Sequence, residues 1–131
     1  MPRPRALNQG FGRVLIVIYA IFAIAATARS AVQLSTQFSQ APVAYLLSAI
    51  AAVIYIVATI ALARGEGVSR MVATIAVAIE LAGVLIVGTL SLILPSVFPH
   101  ASVWSGFGSG YGFIPLILPI VGLWWLYRSR P

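Results

Sequence analysis

The stretch MVATIAVAIELAGVLIVGTLSLIL, residues 71–94, decides how this chain must fold. It runs for 24 residues, it is followed directly by Pro95, and Glu80 is its one charged residue. A helix of about 20 residues crosses the roughly 30 Å of hydrocarbon in a bilayer. The stretch therefore predicts a membrane-spanning helix that carries an acid near its middle.

The rest of the chain shares this apolar character. Of its 131 residues, 61% are hydrophobic and 8% are charged, whereas about a quarter of the residues in a soluble domain are charged. Cysteine is absent, which excludes disulfides, a thiol nucleophile and thiolate metal ligands. We therefore predict a single integral membrane domain, 1–131, with the lipid bilayer as its solvent.

Four long apolar stretches predict an all-α fold, a transmembrane four-helix bundle. The expected spans are 11–34, 43–63, 71–94 and 113–127. Between the last two, segment 95–112 is rich in glycine and aromatic residues and has no Asp, Glu, Lys or Arg. Irregular backbone at membrane depth must be buried in protein or line a wet cavity. We expect this outer loop to lie on the outer interface or to dip into the protein.

The basic residues, all eight of them arginines, indicate the orientation. Four spans leave only Arg29 toward one face and put the others on the opposite face: Arg3, Arg5, Arg13, Arg64, Arg70, Arg128 and Arg130. Because cytoplasmic loops carry an excess of basic residues, both termini are predicted to be cytoplasmic (N-in/C-in), in the cytoplasmic or plasma membrane. The arginines are scattered singly, so the net charge does not indicate nucleic-acid binding.

Residues 1–28 allow a second interpretation. A basic leader, a short apolar core and the tripeptide ATA at 26–28 are typical of a cleaved signal peptide. Small and polar residues continue at helical spacing through Arg29, Gln33 and Gln37, which favours a retained first span. The mass of the mature protein distinguishes the two interpretations.

Helix rise places Glu80 deep in the membrane. Glu80 lies ten residues from the nearest preceding arginine and Tyr55 lies nine from the nearest following one, so both are expected about 15 Å from the cytoplasmic boundary. Small and polar residues lie on the same helical faces as Glu80 and Tyr55, and also on the face that carries Tyr19. We hypothesise an intramembrane polar site of Glu80, Tyr55, Arg29 and Tyr19. The Tyr55 hydroxyl is one candidate partner of Glu80, and Arg29 is a more distant one.

A buried acid has two possible roles. An ionised carboxylate at the bilayer centre costs about 2.5–3.5 kcal/mol on insertion scales. An unpaired Glu80 is therefore expected to hold a proton near neutral pH, which suits a proton-coupled site. The alternative is structural: a neutral or hydrogen-bonded Glu80 joins helices together, or joins this chain to a partner.

Other motifs give weaker indications. The string GSGYGF, 108–113, contains the Gly-Tyr-Gly of potassium filters, whose carbonyls replace the hydration shell of the ion, but the preceding Thr-Val is missing. His100 is the only histidine, and without cysteines or clustered acids it does not make a metal site. Glu66 and Glu80 are the only acids, and the absence of Asp excludes a Ser-His-Asp set. We expect no enzyme activity, no cofactor and no metal.

Two segments, VIYAIFAIAATARSAVQL at 17–34 and GSGYGFIPLILPIVGLWWL at 108–126, carry a resemblance. With the Lys-free composition, they resemble small four-span integral membrane proteins of actinobacteria, a largely uncharacterised group, and this implies no catalytic or binding residue. The chain is also similar in size and span number to the small multidrug transporters. Their essential Glu lies in the first helix, whereas here the acid is in the third and the first carries Arg29.

The function predicted from these features is that of a non-enzymatic accessory or interaction subunit of the cytoplasmic membrane. It would associate as a homo-oligomer or with a larger membrane complex. The alternative is a small oligomeric transporter or flippase that uses Glu80 as a protonatable site at the midplane. Because four short helices leave little room for a solute path, that alternative requires a dimer or a larger assembly.

Overall fold

A computed structural model describes residues 10–36, 42–65, 67–94, 96 and 104–129 of the chain. In these ranges the chain is helical and has no β-strand, so the all-α prediction is confirmed. The helices are α1 (Phe11–Thr36), α2 (Pro42–Arg64), α3 (Val68–Ile93) and α4 (Ile114–Arg128), with a short 3-10 helix, Ser105–Tyr111, between α3 and α4. Along the chain, each α-helix packs against the next.

Three of the described helices are long and apolar enough to cross a membrane. They provide the candidate spans Phe11–Val32, Tyr45–Arg64 and Val68–Ile93. α4 has only 15 residues, about 22 Å at the rise of an α-helix, and is too short to span alone. It makes a fourth candidate only with the 3-10 helix, and the two are bent by 98°. α4 covers the stretch expected as the fourth span, 113–127, to within one residue, and the bent 3-10 helix before it was not expected.

The turn between α2 and α3 depends on glycine. Gly65 and Gly67 have φ angles of 76° and 62°, a region that glycine enters without the steric penalty of a Cβ. The turn is consequently so short that α3 begins at Val68 rather than at Met71. Arg70, expected in the loop, lies in the first turn of α3 instead.

The segment expected as an irregular outer loop, 95–112, contains the 3-10 helix and packs on α3. Trp104, just before this helix, is buried, and its ring lies 2.6 Å from the position that a Cβ on Gly83 would occupy. The Phe107 ring overlaps the Cβ position of Gly88 in the same way. Two glycines of α3 therefore provide the space in which this segment lies. His100 and the rest of 97–103 lie outside the described residues.

The helices arrange the arginines at opposite ends of the bundle. Phe11, at the start of α1, packs its ring 5.8 Å from that of Trp125, near the end of α4. Arg70 Nη1, at the start of α3, donates to the Leu126 carbonyl of α4 at 2.9 Å. This end, here called the Arg70 end, carries four of the described arginines: Arg13, Arg64, Arg70 and Arg128. The opposite end carries Arg29 and is called the Arg29 end.

Large apolar side chains cover the outward faces of the helices. Exposed examples occur on every α-helix: Val17, Ile21, Val53, Ile60, Ile79, Ile86 and Ile120. The fully buried side chains, by contrast, include Tyr19, Tyr55 and Glu80. Apolar residues outside and polar groups inside are the arrangement that a hydrocarbon solvent favours.

Candidate functional site

Glu80 is completely buried, with 0% of its surface exposed. It lies on the inner face of α3, together with the buried Ala73, Ala76 and Val84. The Tyr19 hydroxyl of α1 donates a hydrogen bond to Glu80 Oε1 at 2.7 Å. This bond connects the first and third helices through the interior of the bundle.

The second carboxylate oxygen of Glu80 is in a different situation. Oε2 is buried, and no described residue forms a hydrogen bond with it. A buried polar atom without a partner costs about 1–3 kcal/mol, and a charged one costs more. Among the described residues, the only hydrogen bond to the carboxyl group comes from the phenol of Tyr19. The carboxyl group of Glu80 is therefore only partly hydrogen-bonded by the described residues, and Oε2 is available to a further hydrogen-bond donor.

Tyr55 of α2 lies beside this pair but does not bond to Glu80. Its hydroxyl accepts a hydrogen bond from the indole Nε1 of Trp104 at 3.1 Å, and its ring centroid lies 6.2 Å from that of Tyr19. The hydroxyl that reaches Glu80 is thus that of Tyr19, not that of Tyr55 as hypothesised. The difference arises because Tyr55 is engaged by the segment that follows α3.

Trp104 completes this group of side chains on the side of the Arg29 end. Its ring packs against Gly83, which is one helical turn beyond Glu80 on α3. α1, α2, α3 and the residue before the 3-10 helix each supply one member. We refer to Glu80, Tyr19, Tyr55 and Trp104 as the Glu80 cluster.

Arg29 belongs to a second group, near the Arg29 end. Its guanidinium donates a hydrogen bond to the Tyr111 hydroxyl and lies 5.7 Å from the centroid of the Tyr111 ring. The Tyr111 ring packs 5.9 Å from Phe22, and Phe22 packs 5.8 Å from Tyr55. Aromatic rings therefore separate Arg29 from Glu80, and the described residues contain no direct pair between the two charges.

α4 forms the wall behind Tyr19. A Cβ on Gly122 would lie 3.3 Å from both the Tyr19 hydroxyl and Val77 Cγ1. Pro119 is fully buried inside α4, where it removes an N–H from the hydrogen-bond ladder of the helix. Because α3 and α4 run antiparallel and Val77 faces Gly122, Pro119 lies level with Glu80.

Two contacts were not predicted from the sequence. Trp104 lies in a segment without helical spacing, and its aromatic, uncharged surroundings were the only signal that it would be in contact with protein. Arg70 was interpreted only as a topological charge. Its guanidinium donates to the carbonyls of Leu126 and Ser129 at 2.9 and 2.5 Å, and so satisfies the last turn of α4. A basic residue that can reach a helix C-terminus is an ordinary cap, but the sequence did not show which helix it would reach.

Within the described ranges, no group of three or more His, Cys, Asp or Glu side chains could hold a metal ion. His100 and Glu66, considered above as ligands or catalytic groups, lie outside the described residues. The Glu80 cluster offers a carboxyl group, two phenols and an indole N–H. The carboxyl group can bind or release a proton, and the phenols and the indole N–H can donate hydrogen bonds, all in the buried interior.

Comparison of the chain with protein-family models, with curated proteins and with solved structures found no match. The likeness to small four-span actinobacterial membrane proteins therefore stays a resemblance.

Proposed function

We propose that the chain is a multi-pass protein of the cytoplasmic membrane and acts there as a non-enzymatic accessory or interaction subunit. The observation that carries this proposal is the hydrogen bond between Tyr19 and Glu80 inside the bundle. It uses the single acid of the spans to connect two helices of one copy. Because Glu80 is fully buried, it stabilises the subunit, and contacts with partners fall to the outward faces.

The distribution of arginines supports an orientation with both termini in the cytoplasm. Four described arginines lie at the Arg70 end and one lies at the Arg29 end. An excess of basic residues marks the cytoplasmic side of a membrane protein. The start of α1 and the end of α4 are both at the Arg70 end, which supports an orientation with both termini on one side.

One outward face has the composition of a helix-association surface. Thr74, Ala78 and Ala82 follow one another at four-residue spacing on α3, and all three are exposed. Small residues at this spacing let two helix backbones approach closely, and close packing drives helix association in membranes. A second copy or another membrane helix is therefore expected to pack on this face.

The experiment is purification from the native membrane in a gentle detergent, with cross-linking and mass spectrometry. We expect a second copy or a defined membrane partner to co-purify with the chain, and Ala78→Leu with Ala82→Leu to remove it. The matched control is Ile79→Leu, which changes a neighbouring exposed residue without adding bulk. A chain that remains a lone monomer in detergent and in nanodiscs would contradict the proposal.

The buried Oε2 of Glu80 favours a second candidate function. In this alternative the chain is a small oligomeric transporter or flippase, and Glu80 carries the proton that is exchanged. Glu80→Gln keeps an oxygen that accepts from Tyr19 but cannot exchange a proton. We expect it to abolish proton flux in proteoliposomes, followed with a pH dye in the lumen, while the free energy of unfolding changes little. Flux that is the same for Glu80→Gln and the unaltered chain excludes this candidate.

A further inference from the structure

We propose that the Arg29 end of the bundle is the entrance to the Glu80 carboxyl group and that the Trp104 side chain closes it. The proposal rests on the second candidate function. It names the route by which water and protons reach the acid, and the residue that controls the route.

The first observation is the position of Trp104 relative to Glu80. Gly83 lies three residues beyond Glu80 on α3, about 4.5 Å further along the helix axis. The Trp104 ring lies 2.6 Å from the Cβ position of Gly83, and its residue is only 3% exposed. The indole therefore packs on α3 about one turn beyond the acid, on the side of the Arg29 end.

The second observation is what lies beneath the indole. Buried water in a protein typically makes two to four hydrogen bonds. The Tyr19 hydroxyl, the Tyr55 hydroxyl and Glu80 Oε2 already provide polar atoms for it, and Oε2 has no hydrogen-bond partner among the described residues. If Trp104 moved away, the Tyr55 hydroxyl would lose its indole donor, and water would replace that donor. The groups under Trp104 are thus prepared for water, and Trp104 excludes it.

The third observation is the contrast between the two directions from Glu80. Toward the Arg70 end, α3 continues with the buried Ala76, Val77 and Ala73, and Gly122 packs closely against Val77. Toward the Arg29 end, the described titratable side chains include Tyr55, Tyr111 and Arg29, whereas the Tyr19 hydroxyl lies level with Val77 and Gly122. α4 has no titratable side chain before Tyr127. Tyrosine hydroxyls therefore continue from Glu80 to the Arg29 end, whereas apolar residues occupy the same face of α3 toward the Arg70 end.

The fourth observation is how the segment that carries Trp104 is held. Its Gly106 N–H donates to Ser91 Oγ of α3 at 2.8 Å, and Phe107 occupies the space over Gly88. Phe107 and Phe113 have φ angles of 60° and 59°, which are strained for residues with bulky side chains. Displacement of this strained segment from α3 is the motion that opens the entrance.

The absence of cysteine from the chain provides a direct test. Glu80→Cys in lipid nanodiscs is treated with an anionic, membrane-impermeant methanethiosulfonate, whose charge is not repelled by Arg29. Adding Trp104→Ala is expected to accelerate the modification by at least about tenfold. This corresponds to a free energy of opening that is lower by about 1.4 kcal/mol.

A second variant is designed to displace the Trp104 ring without changing Trp104 itself. Gly83→Ala places a methyl group against the Trp104 ring and is expected to accelerate the reaction of Glu80→Cys as well. Its matched control is Gly110→Ala, because a Cβ on Gly110 meets nothing within 4 Å. A second reporter, Ala73→Cys, is buried on the far side of Glu80 and is expected to react at an unchanged rate.

Unchanged labelling of Glu80→Cys in both Trp104→Ala and Gly83→Ala overturns the proposal. Equal acceleration at Glu80→Cys and Ala73→Cys also overturns it, because the bundle has then loosened as a whole. Labelling measures access and not transport. Faster labelling without proton flux in proteoliposomes therefore rejects the transporter function and leaves the entrance in place.

Discussion

Glu80 and Arg29 are the two charged residues of the described structure that lie away from the Arg70 end, and each has a tyrosine as its partner. Glu80 is completely buried and accepts one hydrogen bond from Tyr19. Arg29 is partly exposed and donates to Tyr111 at the end of the bundle. Both pairs join a charged residue to a tyrosine hydroxyl, but one pair is buried and the other is partly exposed.

The comparison shows that burial, and not opposite charge, selects the partners. A residue near a helix end can also form hydrogen bonds with water or at the interface, so Arg29 depends less on any single contact. The interior acid has no such alternative, and the described residues bond to only one of its oxygens. Effects of substitution should therefore be large around Glu80 and small around Arg29.

The largest effect is expected from Glu80→Ala. It leaves a cavity and removes the acceptor of the buried Tyr19 hydroxyl, so the free energy of unfolding should fall by about 2–4 kcal/mol. Equilibrium unfolding of the purified protein in mixed micelles measures this change. The control Glu80→Gln keeps an accepting oxygen and should cost about 1 kcal/mol or less. If Glu80→Ala and Arg29→Ala lowered the free energy of unfolding equally, the interior and the Arg29 end would not differ as proposed.

An intermediate effect is expected where the 3-10 helix packs on α3. Gly88→Ala places a methyl group 2.4 Å from the nearest atom of the Phe107 ring, and overpacking of this kind costs about 1–3 kcal/mol. Thermal unfolding measures the loss. Gly110→Ala adds the same group in open space and should leave the midpoint unchanged. A Gly88→Ala protein as stable as the unaltered chain would show that this segment does not pack on α3.

The smallest effect is expected from Arg29→Gln. It removes a hydrogen bond and a cation–π contact with Tyr111, worth about 0.5–1 kcal/mol at an exposed site. Arg13→Gln, which changes an exposed arginine, is the matched control and should stay within about 0.5 kcal/mol of the unaltered chain. Unfolding in the same micelles compares the two. A loss for Arg29→Gln as large as that for Glu80→Ala would mean that Arg29 stabilises the interior.

Much of the fold could be predicted because long apolar runs leave little choice. The helices that contain 71–94 and 43–63 follow from length and hydropathy alone. The helical stretch of α4 was also expected, at 113–127, but the 98° bend between it and the preceding 3-10 helix was not. The chain makes that bend at Gly112 and Phe113, which have left-handed φ angles of 64° and 59°, and no periodic pattern in the sequence encodes it.

The sequence predicts the depth of the site residues in the membrane but not which of them form hydrogen bonds with each other. Helix rise alone placed Glu80 and Tyr55 at a common height, and Pro119 lies at the level of Glu80 as well. Which phenol points at the carboxyl group depends on the rotation of each helix about its axis, and packing between helices sets that rotation. For this reason the sequence favoured Tyr55, whereas the structure brings Tyr19 to Glu80 and Trp104 to Tyr55.

The central claim is that Tyr19, and not Arg29, is the partner of Glu80, and a pair of double-mutant cycles tests it most directly. One cycle combines Glu80→Ala with Tyr19→Phe, and the other combines Glu80→Ala with Arg29→Gln, with unfolding free energies measured in the same micelles. We expect a coupling of about 0.6–1.7 kcal/mol in the first cycle, the range found for hydrogen bonds between membrane helices, and none in the second. Coupling to Arg29 without coupling to Tyr19 would contradict the account.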